Sequence, residues 1–163
     1  MKNAVKDTSA GVLSLTGAHG SVTSAFSHET LSVLREGKEA TLATLRPDGW
    51  PQATIVNFVN DEAQVYLACG ASSQKVENIK WDDRISLALV APYSAYGRIF
   101  GLSLAGNAKL LSEAEDISYV LDLWKVRHPY NHRRLKAEVR AFVFYKIFPT
   151  ITTTLDYRSA LGM

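Results

Sequence analysis

Residues 40–69 read ATLATLRPDGWPQATIVNFVNDEAQVYLAC, three apolar segments separated by tight turns. Ala40–Leu45 runs into Arg46-Pro47-Asp48-Gly49, where proline presets φ and glycine accepts the positive φ that a tight turn demands. Gln52–Val59 brings the chain back, and Asn60-Asp61 turns it again into Ala63–Cys69. Strands joined this closely pair antiparallel, because a parallel pair needs a crossover of a dozen or more residues. The stretch is a three-stranded meander.

Working outward, Ser27 is a good N-cap for a helix over 28–36, with Phe26 at N′ set to staple against Leu31 at N4, and Gly37 suits C′. On the other side, Ser72/Ser73 opens a short helix that ends near Trp81. Arg84–Ala91 and Ile99–Leu111 are apolar and strand-like, separated by a Pro92–Gly97 loop. Ser112-Glu113-Ala114-Glu115 has the spacing of a capping box, and Ile117, Val120, Leu121 and Trp124 follow at i, i+3, i+4 and i+7 of an amphipathic helix. His128-Pro129 ends that helix. Val139–Phe148 carries apolar residues on both alternating faces, so it reads as a strand covered on both sides, and Ile151–Leu155 adds a last short one. A mainly β fold follows, a six-stranded antiparallel barrel with three inserted helices. A doubly wound sheet needs regular strand–helix alternation, which the meander lacks.

Composition fits one ordinary domain: 163 residues, 47% hydrophobic and 21% charged. Residues 1–23, rich in Ser, Thr, Gly and Ala, read as a loosely ordered arm before a domain over 24–163. With 18 basic against 16 acidic side chains the net charge is +2, too small a field to suggest a nucleic-acid partner. No stretch approaches the ~20 apolar residues that span a bilayer. Cys69 is the single cysteine, which excludes an intrachain disulfide and a cysteine zinc cage and fits a reducing cytoplasm.

The chemistry concentrates in Gly70-Ala71-Ser72-Ser73-Gln74-Lys75-Val76-Glu77-Asn78. Here a strand passes through glycine and two hydroxyls into a helix N-terminus, whose unpaired N–H groups attract anions. With Ser72 as N-cap, Lys75 takes N3, where its charge opposes the helix dipole by roughly 0.3–1 kcal/mol unless a phosphate binds there. The plain alternative is an ordinary capped helix with Lys75 in solvent. Elsewhere, His128 and His132 have i, i+4 spacing, but Pro129 intervenes and no carboxylate pair completes a metal motif, so His19, His28, His128 and His132 read as surface histidines. Arg127, Arg133, Arg134, Lys136 and Arg140 gather around Tyr130, either a solvated charged surface or a site for an acidic substrate or phosphate. Trp50, Trp81 and Trp124 read as packing residues. No catalytic triad, Walker loop or dinucleotide glycine fingerprint is present.

The segments ATLATLRPDGWPQATIVNF, VYLACGASSQKVENIKWDDRISLAL and GNAKLL, in that order, resemble the opening hairpin, phosphate-binding turn and later glycine-containing strand of the flavin-binding split barrels related to pyridoxamine 5′-phosphate oxidase. The likeness runs over about residues 26–156. It implies a Greek-key split barrel that binds FMN as a homodimer, with flavin at the interface. It sets Thr54, Ile55, Val56 and Asn57 along the isoalloxazine ring and Cys69 near the flavin tail. Ser73, Gln74 and Lys75, beside Ser72, match the family's Ser-Arg-Lys phosphate clamp, with Gln74 in place of Arg. Thr54 likewise stands where many relatives carry Arg. Tyr96–Gly101 and Asp156-Tyr157-Arg158 are the expected second-subunit contacts, Tyr157 among the cofactor residues. The oxidase's substrate-binding Lys is replaced by Val59, and its C-terminal Arg-x-His is missing from Ile151–Met163. The resemblance therefore implies an FMN-dependent oxidoreductase of unknown substrate, with no side chain required as nucleophile. Two other classes share the pattern: deazaflavin-dependent reductases, and non-enzymatic ligand-binding or stress-response modules. Some split barrels bind haem, but no histidine here stands in a diagnostic motif.

Overall fold

The Arg46–Gly49 turn closes as its residues dictate: Gly49 takes φ +85°, its N–H donates to the Arg46 carbonyl at 2.9 Å, and the Arg46 N–H donates to Trp50 O at 3.0 Å. It joins β1 (Glu39–Leu45) to β2 (Pro51–Asp61), and a turn at Glu62 leads to β3 (Gln64–Gly70). The computed structural model describes residues 26–92 and 100–156. After α1 (His28–Glu36) and this meander come α2 (Gln74–Trp81), β4 (Arg84–Val90), β5 (Phe100–Leu110), α3 (Ala114–Arg127), α4 (Pro129–Ala137), a 3-10 turn over Val139–Ala141, and β6 (Phe142–Asp156). The strands form a closed antiparallel barrel in the order β1-β2-β3-β6-β5-β4, with β4 pairing back onto β1.

Strand alternation divides the residues. Leu42, Phe58, Leu67, Leu87, Leu104 and Ile147 fill the barrel, with Val33 and Leu34 of α1 and Val76 of α2 against them. A second cluster lies outside the wall, where Val120 and Trp124 of α3 and Leu135 of α4 cover Val59, Tyr66 and Phe144. β6 is thus apolar on both faces because both are covered: Tyr145 and Ile147 inward, Phe144 outward. The rest of the outer wall is different. Ile55, Thr41, Ala88, Ser103 and Thr153 stand side by side across five strands, and a parallel row runs from Ala53 to Ile151. Neither row holds a charged side chain, and Ile55 and Ile151 are 75% and 64% exposed.

Several local expectations are corrected. Ser73, not Ser72, is the N-cap of α2, which moves Lys75 from N3 to N2. Glu113 rather than Ser112 occupies the N-cap of α3, with no side-chain cap bond. Gly37 is the C-cap of α1 with extended φ −67°, and a Cβ there would meet Val33 O at 2.9 Å. His128-Pro129 does end α3, but Pro129 then opens a fourth helix, since proline at N1 forfeits no hydrogen bond. Val139–Ala141 is helical rather than extended, and the two strands expected around Pro149 are one. Trp124 packs, whereas Trp50 and Trp81 are 72% and 68% exposed. His128 is buried, not a surface residue. The expected arm over 1–23, Tyr96–Ile99 and Tyr157-Arg158 lie outside the described residues.

The single strand β6 survives Pro149 through a bulge. Ala105 pairs with Ile151 and Gly106 with Pro149, so Thr150 is the extra residue. At that point β5 passes so close that a Cβ on Gly106 would lie 2.1 Å from Phe148 O and 2.9 Å from Pro149 Cα. Backbone atoms cannot step aside as a flexible side chain can. Gly106→Ala should destabilise the protein by about 3 kcal/mol. Gly70→Ala, whose Cβ would meet nothing within 4 Å, should change stability by at most about 1 kcal/mol. Thermal melts of the two variants check the contrast.

Candidate functional site

Between the barrel wall, the start of α2 and the inner side of α4 lies a cleft of ≈ 330 Å³. β2 contributes Ile55, Val56 and Asn57, β3 contributes Ala68, Cys69 and Gly70, and α2 contributes Lys75. The opposite wall is Trp124 of α3, Asn131, Arg134 and Leu135 of α4, and Phe142 of β6. Among the described residues two cations, Lys75 and Arg134, line this space, and no carboxylate does. Arg134 Nε reaches Glu138 at 3.3 Å on the exposed side of its own helix, a screened pair of little strength. Burial pushes the Cys69 thiol up to about 11, partly offset by Lys75, so it is a protonated wall residue at neutral pH.

Five of the ten expected cofactor-binding residues thus meet in one cleft: Ile55, Val56, Asn57, Cys69 and Lys75. Thr54, Ser72, Ser73 and Gln74 do not line it, and Tyr157 lies outside the described residues. Thr54 faces Leu42 across the β1–β2 pair, and Ser72 is exposed. Gln74 turns its amide along the helix, Nε2 donating to Asn78 Oδ1 at 3.0 Å. Ser73 is the informative one. Its backbone takes N-cap geometry, yet its side chain makes no cap bond. Its Oγ is one of two buried side-chain oxygens without a partner among the described residues, the other being Asn60 Oδ1. An unmet buried hydroxyl costs about 1–3 kcal/mol. Together with the N–H groups of the first turn and Lys75 one residue beyond Gln74, it makes a donor set that suits a phosphate.

The α4 wall was not found by sequence reasoning. Its signal was present in the basic cluster around Tyr130, of which Arg134 belongs to the cleft. Reading His128-Pro129 only as a stop hid the helix that carries it.

A closed six-stranded antiparallel barrel with helices packed against it and a cleft at the strand-to-helix turn define the split-barrel class related to pyridoxamine 5′-phosphate oxidase. The chain belongs to the pyridoxamine 5′-phosphate oxidase family, whose model matches residues 26–151. Among solved structures it resembles the conserved hypothetical protein Rv2991 of Mycobacterium tuberculosis, with 26% identity and TM-score 0.70 over 85% of this chain and 89% of that one. It also resembles the heme storage protein of Vibrio cholerae, with 14% identity and TM-score 0.64 over 76% and 89% of the two chains. A heme binding protein of Mycobacterium smegmatis matches with 18% identity and TM-score 0.66 over 81% and 59%. At such identities these last two show a shared fold. No curated protein matches the sequence. No helix among the described residues is long and apolar enough to cross a membrane.

The far wall of the cleft is held at the α3–α4 corner. The Arg127 guanidinium donates to the carbonyls of Leu34 and Gly37 at the end of α1 and stands 5.4 Å from the centre of the Phe58 ring. His128 ends one helix and begins the next. Its Nε2 is 2.9 Å from Phe58 O, an acceptor, so Nε2 carries the proton. Burial, reinforced by Arg127 and Lys38 and opposed by the Phe58 bond and Glu39, lowers its pKa below the ordinary 6.5. The unfolded chain therefore binds this proton more readily than the native one. Stability from neutral His128 is complete above pH 6.5 and is lost as pH falls below it. Melting temperatures between pH 7.5 and about pH 5 should fall in the wild type, and His128→Gln should flatten that slope.

Proposed function

We propose that the protein is an FMN-binding flavoprotein, an oxidoreductase whose cleft takes the cofactor's phosphate at the N-terminus of α2. The observations that carry this reading are Lys75 in the lining of the cleft and, two residues before it at the N-cap of α2, a buried Ser73 Oγ that has no partner among the described residues. Ile55, Val56 and Asn57 supply the wall on which the ring system would lie, their outer backbone edge beside the cleft. Bound flavin supplies the electron chemistry, while the chain's part is orientation and hydrogen bonding to the ring. Val59, where the oxidase needs its substrate lysine, is fully buried beneath α3, which argues against pyridoxamine 5′-phosphate as substrate. No histidine lines the cleft among the described residues, so an imidazole ligand for haem iron is not at hand there.

The same reading includes a homodimer. Ile55 belongs both to the cleft and to the uncharged outer rows, so a second copy seated on those rows would also wall the cleft. A two-fold contact sets a surface against itself, and neutral rows avoid opposing like charges. Light scattering at low micromolar concentration should give twice the chain mass, and a stable monomer that still binds flavin would overturn the shared wall.

The purified protein's spectrum and mass spectrometry of its released ligand test the cofactor: flavin absorbs near ~450 nm and deazaflavin near ~420 nm. Lys75→Ala tests the site. Losing a charge-assisted hydrogen bond of roughly 1.5–3 kcal/mol should weaken FMN binding about tenfold to a hundredfold, with riboflavin, which lacks the phosphate, barely affected. Without ligand, the variant should be as stable as the wild type or slightly more so, since a cation leaves a helix N-terminus. Equal losses for both ligands would sink the phosphate assignment.

A further inference from the structure

Asn78 has no exposed surface, and its amide is nearly saturated. Nδ2 donates both protons, to Thr44 Oγ1 on β1 at 2.9 Å and to Gln52 Oε1 on β2 at 2.9 Å. Oδ1 accepts from Gln74 Nε2 at 3.0 Å. Thr44 and Gln52 are directly opposite each other in the β1–β2 pair, so one side chain spans the hairpin and the first residue of α2 together. Of the four hydrogen-bond positions an asparagine side chain usually offers, three are used.

This placement matters because both walls of the cleft start from these partners. Three residues beyond Gln52, β2 becomes Ile55–Asn57, and one residue beyond Gln74, α2 presents Lys75. The first turn of α2 has no side-chain cap, so its anchorage comes from within, through Gln74 and Asn78. That arrangement leaves the Ser73 hydroxyl unengaged. Directional hydrogen bonds around a buried amide tolerate few alternative arrangements, whereas apolar contacts slide.

We propose that Asn78 is a positioning residue of the cleft: its amide sets the α2 N-terminus against β2 and so places Lys75 and the first turn of α2 where an anion in the cleft would meet them. The ligand identity in this statement rests on the FMN reading above; the geometry does not. Asn78→Leu should weaken FMN binding about tenfold or more and riboflavin binding about threefold or less, because the phosphate donors move while the ring wall stays. Thr44→Val removes one acceptor at nearly constant shape and should shift the FMN-to-riboflavin ratio in the same sense by less. The double variant should lose no more FMN affinity than Asn78→Leu alone if both act through one network. Parallel losses for the two ligands, or an unchanged ratio in a folded Asn78→Leu protein, overturn the proposal in favour of a purely structural asparagine. Crystal structures of the ligand-free variants supply a second readout. The first turn of α2 should shift relative to β2, and an unmoved turn overturns the proposal even where the wild type binds no flavin and the FMN reading has failed. Should Asn78→Leu not fold, Thr44→Val carries both measurements.

Discussion

Closure of the barrel depends on β6 finding hydrogen-bond partners on both edges at once. Its first half pairs with β3 from Phe142 to Ile147, and its longer second part pairs with β5 from Tyr145 to Asp156. Tyr145, Lys146 and Ile147 are the overlap, paired on both sides. Without that overlap, β3 and β5 would each expose a row of unpaired N–H and C=O groups, and an edge of that kind recruits other chains. The bulge at Thr150 lies within the part of the strand that pairs with β5, and the missing side chain of Gly106 gives it room.

The position of β6 also dictates where the helices go. The chain leaves β5 and must return to the edge of β3, and α3 and α4 make that journey across the outside of β2, β3 and β6. Their apolar side closes over Val59, Tyr66 and Phe144. Arg127 and His128 fix the corner between them by bonding carbonyls of α1 and β2. The cleft is what this cover leaves open, bounded by α4 on one side and the β3–α2 turn on the other. Its cationic lining therefore comes from two distant parts of the sequence, Lys75 and Arg134.

Legibility in the sequence tracked the range of the interaction. The meander was readable because proline and glycine act on their own dihedrals, and Gly49 is at positive φ where the turn requires it. The apolar doubling of β6 was readable because alternation reports burial on each face. What failed was decided by bonds at a distance. Pro149 looks like a break until β5 provides a bulge for it. His128 looks solvated until Phe58, seventy residues earlier in the chain, offers a carbonyl. α4 escapes a local reading because a proline that stops one helix can start the next, and local sequence does not separate the two roles. In the cleft, Ile55, Val56 and Asn57 were expected only through the family resemblance and Lys75 also through its place at a helix N-terminus, while Asn131 and Arg134 needed the helix that had been missed.

Two serines in this chain show why the α2 N-terminus is unusual. Ser27 and Ser73 both hold N-cap positions with similar backbone angles, φ −65° and −82° with ψ 157° and 148°. Ser27 accepts from Thr30 N at 3.2 Å, and Glu29 lies in the first turn of its helix. The Ser73 side chain accepts nothing among the described residues, the residue at N2 is the cation Lys75, and Glu77 is drawn to Lys80 at 2.7 Å. The unmade cap forgoes roughly 1 kcal/mol, and the cation at the positive end of the helix opposes the dipole by about 0.3–1 kcal/mol. Both costs fall on the same turn and have the same sign, and both would be reversed by negative charge at that point. A helix that only needed to fold would be expected to resemble α1. The second helix is instead held from inside by Gln74 and Asn78, which frees its N-terminus from the task of capping itself.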